Sequence, residues 1–157
     1  MNFRELLDRF TDAANRGDGD VFATCFTEDA TYHDYIYGPF SGRENIGKML
    51  ADVFHRDAAD FQWEMVDGVN DGNTGYAAYN FSFTSSMPDY KGKRVALQGM
   101  SQFKLRDGLI AEYHEAINGG IAMAQLGIPA ETMAKVFNRC AEKEFAKPEL
   151  QSHLRAS

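Results

Sequence analysis

A chain of 157 residues, 44% hydrophobic and 25% charged, has the size and composition of one globular domain with a core of its own. Its formal net charge of −7 argues against polyanion partners such as DNA or RNA. No apolar run is long enough for a membrane span, and Met1-Asn2-Phe3-Arg4-Glu5 lacks the basic-then-apolar layout of a signal peptide, so a cytoplasmic protein is expected.

Phe3, Leu6, Leu7, Phe10 and Ala14 recur at helical spacing, which predicts an amphipathic helix over about residues 3–16. Asn2 and Glu5 form a capping-box pattern at its start, and Gly17 ends it. Asp18 or Asp20 caps a second short helix carrying Val21, Phe22, Cys25 and Phe26, which Thr27-Glu28-Asp29 breaks. A first strand is expected over Ala30–Asp34, then a glycine-proline turn at Gly38-Pro39. Ser41-Gly42-Arg43-Glu44 has the spacing of a second capping box, opening a helix with the stripe Ile46, Met49, Leu50, Val53 and Phe54. Beyond it the period falls to 2: Phe61, Trp63 and Met65 alternate with polar residues. Asn70-Asp71-Gly72-Asn73 predicts a hairpin turn into a strand through Tyr76, Tyr79, Phe81 and Phe83. Two further strands are expected, from Arg94 to about Leu105 and from Leu109 to Asn118. Helical pieces follow over Ile121–Leu126 and from Pro129 to about Phe145.

This order predicts an α+β fold. A sheet with one covered face has only the helices before and after it as cover, which implies a strongly curved sheet forming a cone with one open end. Residues 1–118 make the domain, 119–146 a C-terminal helical extension packed on it, and 147–157 a flexible polar tail. Cys25 and Cys140 lack any Cys-x-x-Cys or Cys/His spacing and read as buried or idle thiols.

The Asp29-Ala30-Thr31-x-x-Asp34 strand and the Gly38-x-x-x-Gly42-Arg43-Glu44 helix start resemble the NTF2-like superfamily. Within it the chain looks most like the SnoaL-like group, which includes polyketide cyclases, and is related in pattern to ketosteroid isomerase. The resemblance implies the cone-shaped NTF2-like (cystatin-like) fold, with a curved mixed or antiparallel sheet wrapped around the N-terminal helices. It places the isomerase's general-base aspartate on Asp34, its oxyanion-binding tyrosine on Phe10 and its protonated second aspartate on Ser101. Losing an oxyanion donor costs on the order of 100-fold or more in rate, so isomerisation by that mechanism is not expected. The acid/base position of the cyclases falls on Glu115, at the end of Gly108-Leu109-Ile110-Ala111-Glu112-Tyr113-His114-Glu115.

Alternation puts Tyr32 with Asp34 on one face of the first strand and Tyr113 with Glu115 on one face of the last. Burial would raise either carboxyl toward the range useful for acid/base work. Against this, Asp34 can simply hold its turn by accepting backbone amides, and Glu115 can be a solvated edge charge. Phe10, Tyr32, Trp63, Ser101, Phe103 and Tyr113 are the candidate substrate-binding residues, with Tyr79 and Phe83 as further stacking surfaces. Alternation sends His33 and His114 away from the carboxylates, and neighbours on one strand do not share an ion, so no metal site is expected; no cofactor motif is present. His55 and His153 read as solvated. The C-terminal helices would close the mouth of the cone or pack on a second subunit, and a homodimer is expected.

The leading expectation is a small-molecule enzyme in which Asp34 or Glu115 moves a proton beside a carbonyl of a hydrophobic substrate, as in isomerase, cyclase or dehydratase chemistry. The alternative is a non-catalytic binding module for a hydrophobic or aromatic ligand. Epoxide hydrolysis stands third, because no arginine is aimed into the expected pocket.

Overall fold

The computed structural model describes residues 2–34 and 36–155; Tyr35 in the expected turn and the last two residues of the expected tail lie outside them. Helix α1 (Phe3–Arg16) begins with the expected capping box, Asn2 and Glu5 each bonding the other's backbone amide, and ends at Gly17 with φ 70. Asp18 caps α2 (Gly19–Ala23) by accepting from the Val21 amide.

The first strand is longer than expected. β1 runs Phe26–Asp34, and Thr27-Glu28-Asp29 lies inside it. The polar triplet is accommodated by a register shift of β1 against its neighbour between Phe26 and Thr31, and its carboxylates are paired outward: Glu28 with Arg43, Asp29 with Arg106. The glycine-proline segment is not only a turn. Gly38–Ser41 forms an edge strand β2 antiparallel to β1, with His33 opposite Pro39, a position where a missing amide donor is harmless.

The second capping box does not form. Helix α3 (Arg43–Lys48) takes Gly42 as its N-cap, without a side-chain cap, because Ser41 is already paired in β2. The expected long helix then widens into a π-helical segment over Met49–Phe54 and ends in a turn, α4 (His55–Asp57). His55 is not solvated as expected. Its Nε2 lies 2.8 Å from the Ala14 carbonyl at the end of α1, and its ring packs on Phe61 at 4.4 Å.

Strands β3 (Ala58–Asn70), β4 (Thr74–Ser85), β5 (Arg94–Arg106) and β6 (Leu109–Ile117) form the expected meander. The hairpin at Asp71 closes through its own carboxylate, which accepts the Asn73 and Thr74 amides. Six strands lie in the order β2-β1-β6-β5-β4-β3. Neighbours are antiparallel except β1 and β6, which run parallel.

Two bulges in β3, at Asp60 and Asp67 with φ 52 and 54, bend that strand around α1. The free edge of β3 is covered by α1: Asn15 bonds both backbone groups of Trp63, and Arg4 donates to the Met65 carbonyl. Helices α5 (Gly119–Leu126) and α6 (Ala130–Phe145) follow the sheet. Where β5 outruns β6, the Gln125 side chain bonds both backbone groups of Ala96 as a substitute strand. No helix among the described residues is long and apolar enough to cross a membrane.

The core lies between α1 and the concave face of the sheet, and Phe10 is its hub. Its ring, fully buried, lies 4.7–6.2 Å from those of Phe22, Phe26, Trp63, Phe103 and Tyr113. Cys25 is buried nearby, and burial pushes its thiol up to about 11. Removing the Phe10 ring leaves a cavity that five packed rings cannot close, so Phe10→Ala should destabilise the fold by about 3–5 kcal/mol, read as a lower urea midpoint with an unchanged slope.

Candidate functional site

The inner face of the sheet places a polar cluster beside this aromatic core. Tyr32 on β1 stands opposite Tyr113 on β6, and their fully buried rings stack at 4.4 Å. The Tyr113 hydroxyl lies 2.8 Å from Ser101 Oγ, also fully buried. Two residues further along β6, half-buried Glu115 accepts a 3.1 Å hydrogen bond from the Tyr79 hydroxyl.

That last bond spans a strand. Tyr79 is on β4 and Glu115 on β6, and β5 runs between them with Gly99 opposite Tyr79. A Cβ on Gly99 would lie 2.3 Å from the Tyr79 hydroxyl and ring, so only glycine lets the phenol cross β5. Gly99 is thus the residue that allows the Tyr79–Glu115 pair.

Asp34 closes β1 on the same face. Its Oδ1 accepts amides from Ile36 and Tyr37, and the Tyr37 hydroxyl donates to Asp57 at 2.7 Å, which ties this loop to α4. Burial raises the Asp34 carboxyl above its ordinary value, and the two amide bonds partly oppose that. Burial also holds the Tyr32 and Tyr79 hydroxyls well above their ordinary values, and the charges of both Asp34 and Glu115 add to it. Both phenols therefore remain protonated donors. The Tyr113 hydroxyl is raised by burial first and by Glu115 next.

Of the candidate residues, the structure brings Asp34, Glu115, Tyr32, Tyr113 and Ser101 into one cluster. Phe10 and Phe103 lie fully inside the core. Trp63, 7% exposed, touches an open groove of about 640 Å³ walled mostly by Gln62, Glu64, Asn80, Ser82 and Gln98, which alternate with Trp63 and Phe81 and so project from the opposite face of the sheet. Its Nε1 has no hydrogen-bond partner among the described residues. Neither Asp34 nor Glu115 lines this groove, and the Trp63 ring itself packs 5.6 Å from that of Tyr79. The reading of single strands missed Tyr79 as a partner of Glu115. A glycine inside a strand pattern, Gly99, was the available signal of a close approach.

The outer face holds the two histidines. The register that stacks Tyr32 on Tyr113 inside also stacks His33 on His114 outside, at 4.1 Å.

The model of the SnoaL-like domain matches residues 7–113. The chain belongs to the SnoaL-like family. The SnoaL-like chain shares its fold with a protein of ketosteroid isomerase-like fold from Catenulispora acidiphila, solved in complex with trimethylamine. That match has a TM-score of 0.72 at 18% identity and covers 83% of this chain and 98% of the other. A candidate polyketide cyclase from Silicibacter sp. matches with a TM-score of 0.64 at 26% identity, over 78% and 93% of the two chains. An LEH-like epoxide hydrolase from M. tuberculosis matches at 0.64 and 16%, over 78% and 86%. No functionally curated protein matches the sequence. The fold is accordingly the α+β cone of the NTF2-like superfamily.

A buried carboxyl with a raised folded pKa makes a definite pH prediction. The protonated form is favoured by the fold, so stability on account of Asp34 is greatest below the unfolded pKa, about 3.9, and falls as pH rises through the raised folded value. Asn keeps an oxygen for the same two amides without the charge. Asp34→Asn should therefore melt at or above the wild-type temperature at pH 7, with the difference disappearing near about pH 4, as followed by thermal unfolding across pH.

Proposed function

We propose that this SnoaL-like protein is a small-molecule enzyme that transfers a proton beside a carbonyl of a hydrophobic substrate, with Glu115 and Asp34 as its acid/base groups. The observation that carries the reading is the hydrogen bond from the Tyr79 hydroxyl to Glu115 in a buried, tyrosine-lined face that Asp34 also addresses. A structural edge charge has no need of a phenol reaching across a whole strand. The bond orients the Glu115 carboxylate to take an α-proton, and burial raises the Asp34 carboxyl toward the range useful for acid/base work.

In this reading Tyr79 positions Glu115, which takes the α-proton, while Asp34, as the acid, gives its proton to the carbonyl oxygen in the same step. Isomerisation, aldol cyclisation and dehydration all begin with such a step. Trp63 Nε1, a buried donor for which a ligand acceptor would relieve a penalty of about 1–3 kcal/mol, supports ligand binding on the inner face.

A second reading is supported by a separate observation. Phe10 carries no hydroxyl, and Ser101 is already matched to Tyr113, so the oxyanion donors of the isomerase pattern are replaced or engaged. On that reading the same face holds a hydrophobic ligand without turning it over.

Both readings are tested by incubating the protein in deuterium oxide with a panel of cyclic and aromatic ketones. Loss of α-proton NMR signals reports exchange, and quenching of the single tryptophan reports binding. The enzyme reading expects catalysed exchange on at least one ketone, lowered by roughly 100-fold or more in Glu115→Gln and in Asp34→Asn, with quenching retained. Saturable quenching with no exchange above background on any bound ketone would favour the binding module instead.

A further inference from the structure

We propose that His33, Glu112 and His114 form a binding site for a divalent transition-metal ion, zinc being the natural occupant, on the outer face of the joint between β1 and β6. The argument starts from register. Tyr32 pairs with Tyr113 in the parallel β1–β6 ladder, so the next residue on each strand, His33 and His114, projects from the opposite face. Glu112 precedes His114 by two residues and shares that face. Two strands thus deliver two imidazoles and one carboxylate to one place.

The donor atoms of the three side chains lie within 4.8 Å of one another, and His114 Nε2 is 3.4 Å from Glu112 Oε2. Two nitrogens and one oxygen are the set that zinc takes at sites that keep a position for water; cobalt, nickel and copper accept the same ligands. An ion about 2.0–2.2 Å from each donor needs the donors roughly 3.4 Å apart. The His33 and His114 rings, stacked within 11° of parallel, must tilt toward a common point to reach that spacing. His114 and Glu112 have side chains 41% and 52% exposed, so they have the freedom to do so. Neither histidine serves the inner-face cluster, and neither is fixed in the core.

The surrounding charge is compatible. Lys147 is the cation that faces His33 from the C-terminal segment, and its ammonium is bonded to Glu144 at 2.5 Å. An ion held here staples the parallel joint, whose inner side carries Asp34 and Glu115 one residue away along each strand. The site itself does not depend on any catalytic role for those carboxylates.

The test is titration of chelator-treated protein with zinc chloride, by calorimetry and by NMR of the histidine ring signals. The expected result is one ion per chain with ring-signal shifts at both His33 and His114. Affinity should fall by at least the roughly 10–100-fold that loss of an outer-shell partner costs at metal sites in His114→Ala, and again in His33→Ala. Shifts confined to His55 or His153, wild-type affinity in a His33→Ala/His114→Ala variant with native circular dichroism, or no saturable binding to the wild type would each overturn the proposal. The wild-type ring signals alone decide the matter should a variant fail to fold.

Discussion

The register of β1 against β6 is the constraint on which the rest of this structure depends. Stacking Tyr32 on Tyr113 at 4.4 Å fixes which residues of the two strands face the core. Because side chains alternate, one choice settles four positions: Asp34 and Glu115 inside, His33 and His114 outside. A slip of one residue in either strand would put an imidazole among the tyrosines and a carboxylate in water. The buried pair of aromatic rings opposes that slip, since a slip would expose one ring and break its hydrogen bond.

Two further devices adapt this frame to a site. The bulges of β3 at Asp60 and Asp67 curve the sheet around α1, so that Phe10 meets rings from five other elements. Gly99 then clears a path across β5 for Tyr79, which binds Glu115 from two strands away. The inner face is therefore a packed aromatic wall with a polar rim, more than a wide cavity.

Much of this was legible in the residues. The Asn2–Glu5 capping box, the helical spacing of Leu6, Leu7 and Phe10, and the Asp71 hairpin are local signals, and local physics decides them. Alternation alone placed Asp34 with Tyr32 and Glu115 with Tyr113. What was not legible is long-range. No local pattern says that β1 lies parallel to β6, and strand alternation alone relates each histidine only to its chain neighbours, not His33 to His114. Ser41-Gly42-Arg43-Glu44 matched a capping box in letters, yet pairing in β2 claimed Ser41 first. The long helix expected through Phe54 met a π-helical segment, which its apolar stripe does not reveal. Asp34 shows a different limit: it does hold its turn, as the plainer reading had it, and it is also raised by burial, so the two readings were never exclusive.

The central claim is that Asp34 and Glu115 act on the same proton-transfer step. A double-mutant cycle measures this most directly: the rate of catalysed α-deuteration in wild type, Asp34→Asn, Glu115→Gln and the double variant. Groups that serve one step are strongly non-additive, so the double variant should be little slower than the slower single variant. Losses that multiply, each variant slowing the reaction by its full factor in the presence of the other, would contradict the account.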